Sequence, residues 1–258
     1  MKYWEINEER RIVALFDELV AGVKIGDAGG VIPDSCDLPS EEEPLWVSKS
    51  ASIGEGVSIG GWVIIDESVV IGKFSKIFRY ATIDEGSVIG EYSEIGEGSS
   101  IAKSTSIGSG SVIGWNVRLC DRSIVGTGSV VGCGSVIGEG CRIGNDSIIG
   151  ENTSIGDTSV IGDNSKIGEG SSTGKLAQIK DRVIIGNSCR VSHRCVVCSN
   201  VIIGDNVFID DATAVGERVN VGQNSTIGEK VKVGMRNVIA PSSIIQSGEA
   251  IHPDPKWH

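Results

Sequence analysis

From Ile53 to Ile251 an aliphatic residue recurs every six positions, and 33 of the 34 positions in that series hold Ile, Leu or Val, with only Thr173 departing. No insertion or deletion breaks the register, and Gly follows the aliphatic residue in 22 of the 34 cases. The position two before it is small or β-branched, as at Ser87, Ser93, Ser99, Thr105, Ser111 and Ser135, or at Val57, Val63 and Val69. Side chains on a strand alternate with period two, so both positions point inward. Gly, or Asp at Asp66, Asp84 and Asp210, is expected to permit the sharp turn that follows. Three hexapeptides then close a triangular coil of 18 residues, and coils stack at roughly 4.8 Å. The repeat gives about eleven coils, each burying its apolar positions only against its neighbours. A chance pattern in a Gly-rich chain does not hold register for so long.

The order is an aliphatic residue, then Gly, Ala, Glu or Asp, two free positions, a small or β-branched residue and one more free position. It resembles the hexapeptide-repeat superfamily over about four fifths of the chain. The resemblance implies an all-β fold, a left-handed parallel β-helix of about eleven coils. Handedness rests on the resemblance alone, since the general crossover rule favours the right hand. The expected division is an N-terminal cap (1–50), the β-helix (51–251) and a C-terminal tail (252–258).

The ends of such a stack expose strand edges that need covers. Two readings of the cap compete. Ile12, Leu15, Phe16, Leu19 and Val20 recur at helical spacing, with Asn7 as an N-cap and Gly22 as a stop. Alternatively, residues 2–6 and 11–16 form a hairpin. Val23, Gly26, Gly29, Gly30, Leu38, Trp46, Val47 and Ala51 resemble the opening of a group of bacterial and phage hexapeptide proteins, the YdcK-like group, usually labelled acyltransferases. That resemblance favours strands and carries no established catalytic residues. At the far end Glu249 takes an inward position, so the core is expected to stop there.

Composition narrows the partners. A formal net charge of -11 repels phosphate backbones and anionic lipid, which argues against nucleic acid and membrane surfaces. The opening MKYWEINEERR has no apolar run after its Lys, and no stretch approaches a membrane span, so a cytoplasmic protein is expected. Seven cysteines, an odd count with one CxxC spacing at Cys195 and Cys198, read as reduced thiols.

Unbroken register stacks residues in columns 18 apart. Val112, Val130 and Ile148, then Lys166, then Ile184 and Ile202 share an outward position. An exposed aliphatic column suggests an interface between copies, and the superfamily resemblance makes a homotrimer its natural form. Trp62, Phe78, Tyr80 and Trp115 gather at one corner, with Phe74 and Tyr92 at another. They are either a stacking platform for sugars or a partner, or a surface beneath the cap. A basic column of Arg182, Arg218 and Arg236, interrupted by Asn200 and flanked by Lys180, offers forked donors to the phosphates of an acyl-CoA. Neighbouring Asp181 and Glu217 make surface ion pairs the plainer reading.

The repeat is least regular at CRVSHRCVVCSN, where Ser192 and Cys198 replace the turn Gly and His193 stands within the helix. Cys189 and Cys195 occupy inward positions, while His193 and Cys198 fall on successive corners, roughly 16 Å apart. One subunit therefore cannot bring them to one Zn²⁺, and no metal is expected. Hexapeptide acyltransferases use a His as general base, so the resemblance implies that role for His193, with Asp211 below it in the column to orient the ring. The plainer reading is a solvated turn residue.

Two functions follow. One is an acyl-CoA-dependent acyltransferase with a hydroxyl or amine acceptor. The other is a non-catalytic rod, structural or partner-binding and compatible with a phage context, which the lack of extruded loops supports. The remaining readings lack their residues. A γ-class carbonic anhydrase needs three metal-binding His, a sugar nucleotidyltransferase needs a large preceding domain, and an ice-binding face needs a regular Thr array.

Overall fold

A computed structural model describes residues 2–15 and 23–252. It divides into two compact units, Met1–Gly128 and Ser129–His258. Each is a parallel β-solenoid of the left-handed β-helix class, and no helix occurs among the described residues.

The first unit opens with an antiparallel sheet of β1 (Trp4–Ile6), β2 (Arg11–Ala14) and β3 (Ala28–Val31). Trp4 pairs with Ala14 and Ile6 with Ile12. Asn7 makes the turn by accepting, at Oδ1, the N–H groups of Glu9 (3.0 Å) and Arg11 (2.9 Å). Burial alternates along β2, where Ile12 and Ala14 are covered. That is strand periodicity, so the hairpin replaces the helical reading here. The helical positions at Phe16, Leu19, Val20 and Gly22 lie outside the described residues. This sheet packs its Ile12 side against β4 (Leu45–Val47), the strand of the first coil, and so covers the open end of the stack. Trp4 Nε1 donates to Glu43 O at 2.9 Å.

Beyond β4, each hexapeptide supplies one short strand, and strands pair in parallel with an offset of 18 residues, as Ile83 with Ile101 and Ile95 with Ile113. Among the described residues the first unit stacks five, five and four strands on its three faces, and the second stacks seven on each, close to the expected coil number. Ile95, Ile113 and Val131 are all buried, as an interior axis requires.

The glycine after the aliphatic residue has a different cause from the one expected. The left-handed backbone falls two residues later, at Arg182 (φ 55°), Asn200 (φ 62°) and Asn206 (φ 56°) for example. The glycine itself is needed because coils approach closely. A Cβ on Gly54 would lie 2.7 Å from Lys73 N, and one on Gly174 would lie 2.6 Å from His193 N.

The buried serines close the core. Ser99 Oγ donates to Gly114 O (2.7 Å) and accepts from Val117 N (3.1 Å). Ser159 repeats this with Gly174 O (2.9 Å) and Ala177 N (3.1 Å). Each hydroxyl ties its own coil to the next, which cancels the cost of burying it. Cys141, Cys189 and Cys195 take the same place, each donating Sγ–H to a carbonyl at 3.0 Å. Ser123 Oγ has no hydrogen-bond partner among the described residues, and Thr173 does not join this scheme either. It sits at an aliphatic position, 5% exposed, and its Oγ1 has no hydrogen-bond partner among the described residues.

Thr173→Val replaces that unsatisfied hydroxyl by a methyl group of similar size. It is expected to stabilise the protein by about 1–2 kcal/mol and to raise the thermal midpoint by a few degrees. A midpoint that falls in differential scanning calorimetry would show that the hydroxyl is satisfied in solution.

Candidate active site

The irregular segment folds in the second unit without leaving register. Arg190–Val191 and Val196–Val197 are strands on adjacent faces, and residues 192–194 form the corner between them. Arg194 N donates to Lys175 O (3.0 Å) and Ala212 N to His193 O (2.9 Å), so 175, 193 and 211 stand one above another. His193 is exposed, and its Nδ1 lies 3.3 Å from Asp211 Oδ1. The same carboxylate oxygen accepts the backbone N–H of His193 at 2.9 Å.

That backbone contact is a recurring device of the coil. Asp163 accepts from Asn145 N (2.7 Å), Asn187 from Glu169 N (2.9 Å) and Asp205 from Asn187 N (2.7 Å). Asp211 thus has a structural reason to be where it is, and orienting the imidazole is a second use of one carboxylate. The backbone N–H of His193, and then the imidazole and Arg194, hold the Asp211 carboxyl below the usual carboxylate range.

A groove of about 400 Å³ opens here, lined by Lys175, Leu176, His193, Arg194, Asp211, Ala212, Glu229 and Lys230. Lys175 is paired with Asp157 (2.8 Å) and Lys230 with Glu229 (2.6 Å). Arg194 and Lys230 were not singled out from the sequence. The signal was present, because 176, 194, 212 and 230 form the column next to 175, 193 and 211.

The basic column lies elsewhere. Arg182, Asn200, Arg218 and Arg236 occupy the left-handed positions of the next corner. Arg182 Nε donates to Asn200 Oδ1 (3.0 Å), and Lys180 Nζ donates to Gln178 Oε1 (3.3 Å). None of these bases lines the His193 groove. Between the two corners runs a face whose outward residues include Gln178, Val196 and Ala214. A six-residue edge makes the separation roughly 16 Å.

The aliphatic column occupies a third setting. In the second unit Val130, Ile148, Lys166, Ile184 and Ile202 pair in sequence, and the apolar members are 37–48% exposed. This face borders the arginine corner and lies opposite the His193 corner. In the first unit Val112 is likewise exposed and pairs with Glu94.

Cys195 faces the core, and burial pushes its thiol up to about 11, with Cys189 raised for the same reason. Cys198 sits half-buried at the corner. The CxxC spacing therefore does not turn both thiols to one side. Among the described residues no cluster of three or more His, Cys, Asp and Glu is placed to hold a metal ion.

Residues 119–205, about a third of the chain, match a family model described as the GMPPB C-terminal domain. A search of curated proteins finds no match. Among solved structures the chain is similar to UDP-N-acetylglucosamine O-acyltransferase from Moraxella catarrhalis, at 20% identity over 67% of this chain and 68% of that one, with a TM-score of 0.38. The corresponding acyltransferases of Bacteroides fragilis (21%, 81% and 70%, TM-score 0.35) and Arabidopsis (22%, 85% and 72%, TM-score 0.34) are similar to the same degree. Likenesses this distant carry no functional argument, because one hexapeptide coil aligns with another whatever its chemistry.

The raised thiol predicts an alkaline weakness. The folded state keeps the Cys195 proton between the ordinary value of 9.0 and about 11, while the unfolded chain releases it. Stability is therefore full below pH 9 and falls as pH rises through that window. Cys195→Ser, which installs the commonest occupant of the position, is expected to flatten the loss in urea titrations from pH 8 to 11. An unchanged slope would place its origin elsewhere.

Proposed function

We propose that this protein is an acyl-CoA-dependent acyltransferase in which His193 is the general base. One observation carries the reading: an imidazole held by a carboxylate, His193 Nδ1 to Asp211 Oδ1 at 3.3 Å, on the wall of a groove. An ionised carboxylate only accepts, so Asp211 places the proton on Nδ1 and leaves Nε2 with its lone pair. Nε2 takes the proton of an acceptor hydroxyl or amine as its O or N atom attacks the thioester carbonyl. The C–S bond breaks, and the imidazolium returns the proton to the departing thiolate.

The arginine corner supports the donor half. Arg182, Arg218 and Arg236, with Lys180 beside them, receive the phosphates, and the face carrying Val196 and Ala214 gives the intervening arm a track of small side chains. Copies assemble through the aliphatic ladder as a homotrimer, which leaves the His193 groove facing outward and bounded by a single chain. The N-terminal likeness to the YdcK-like group fits the same activity, and seven cysteines outside any disulfide suit a reducing cytoplasm.

A non-catalytic rod is the second reading. The observation that favours it is a strand in every hexapeptide from Ser52 to Ile251, with no excursion to wall an acceptor pocket.

Acetyl-CoA titrated by calorimetry is expected to bind saturably and to lose about tenfold or more in affinity in Arg218→Ala. In acetyl transfer to a panel of amines and sugar hydroxyls, His193→Ala is expected to lower kcat by about 10²–10⁴-fold with the acetyl-CoA affinity intact. Absence of binding heat by the wild-type protein would favour the rod. For assembly, Ile184→Glu with Ile202→Glu is expected to reduce a trimeric mass by light scattering to that of one chain. A monomeric wild-type mass would remove the interface.

A further inference from the structure

The first unit carries a second groove that the acyltransferase reading does not use. It measures about 340 Å³ and is lined by Tyr80, Glu97, Gly98, Trp115 and Asn116. Its origin is a gap in a ladder. Trp62, Tyr80, Gly98 and Asn116 are the successive left-handed residues of one corner, at φ 61°, 60°, 67° and 54°. Trp62 and Tyr80 stack with centroids 6.0 Å apart and ring planes 25° from parallel. The next rung is a glycine, so the ladder of side chains is interrupted between Tyr80 and Asn116. Two coil spacings separate those rungs, roughly 9–10 Å. Asn116 leans its Oδ1 back to 2.5 Å from where a Gly98 Cβ would stand, so the space open to a flat saturated ring is the groove beside Tyr80 and Trp115, with that amide at its edge.

The walls are aromatic and exposed: Trp62 and Tyr80 are each 47% exposed and Trp115 63%. Of the cap, Tyr3 lies against Trp62 with ring centroids 6.5 Å apart, and Tyr80 and Trp115 stay exposed beyond it. Left-handed φ is the ordinary corner conformation of this solenoid, shared by Phe74, Tyr92, Arg182 and Asn200 among others; at Trp62 and Tyr80 the corner carries large rings that are half exposed. Arg79, tied to Glu43 at 2.9 Å, approaches the Tyr80 ring to 5.6 Å and stiffens it. Glu97 and Asn116 add a carboxylate acceptor and an amide that both donates and accepts.

We propose that this notch binds a neutral pyranose of a glycan. The C–H faces of a pyranose are apolar and suit Tyr80 and Trp115. Its equatorial hydroxyls project from the edge, where Glu97 accepts from adjacent hydroxyls and Asn116 completes the set. The carboxylate and the acidic chain, of net charge -11, disfavour a phosphorylated or uronic sugar. The site does not depend on the reading of His193, which lies in the other unit.

The test is titration of the full chain with maltohexaose, cellohexaose and chitotetraose at up to millimolar concentration, read by tryptophan fluorescence and calorimetry. At least one sugar is expected to bind saturably, and Trp115→Ala is expected to weaken it about tenfold or more. Gly98→Asn is the sharper variant. Asparagine tolerates left-handed φ, and its Cβ meets only the movable Asn116 Oδ1, at 2.5 Å. It is expected to refill the ladder and abolish binding with the thermal midpoint nearly unchanged. No saturable response to any of the three sugars, or binding that both variants leave intact, would overturn the proposal.

Discussion

The offset of 18 residues between paired strands is the constraint on which the rest of the structure depends. Every backbone hydrogen bond between coils, such as Gly132 N to Ile149 O at 2.8 Å, holds only while that offset is kept. One inserted residue would turn each following aliphatic side chain outward. The aliphatic and serine positions are thereby fixed to the interior, and the glycine after each aliphatic residue is fixed by the backbone of the next coil. Stability accumulates between neighbours, so a local fault such as the Thr173 hydroxyl is felt within its own coils.

The same constraint explains how His193 acquires its partner. Nothing local in CRVSHRCVVCSN supplies a carboxylate acceptor to the ring. Asp211 arrives because 18 residues separate the two, and the turn geometry already calls for Asx or a similar acceptor at that place in the next coil. The carboxylate is lowered first by the His193 backbone N–H and then by the ring. Positioning the imidazole therefore needs no structure beyond the repeat.

The solenoid was legible in the sequence because period-six patterning is a direct image of strand and turn, and unbroken register carried the columns of His193, Asp211, Arg182 and Ile184 to their places. Three things were not legible. The role of the glycine was misassigned, since the sequence shows its spacing and not whether φ or close approach demands it. The cap stayed ambiguous because Ile12 fits a helical and an alternating pattern equally well, and pairing with Trp4–Ile6 and Ala28–Val31 decided it. The grooves were missed because each shows only when adjacent columns are read together. Arg194 and Lys230 beside His193, and Gly98 between Tyr80 and Asn116, emerge only when corner positions are taken together.

That last point limits where function can reside in such a molecule. Of six positions per repeat, two point inward and one is pressed against the next coil. A fourth is the outward strand residue, which shares a flat face. Only the two turn positions project freely, and one of them is left-handed, where any residue but glycine carries a conformational cost. Large or charged side chains at that costly position therefore call for a compensating interaction. Trp62 and Tyr80 find part of it in stacking, worth about 0.5–1.5 kcal/mol. Arg182 finds part of it in Asn200. The two grooves, at His193 and at Trp115, accordingly open at such corners rather than on the faces between them.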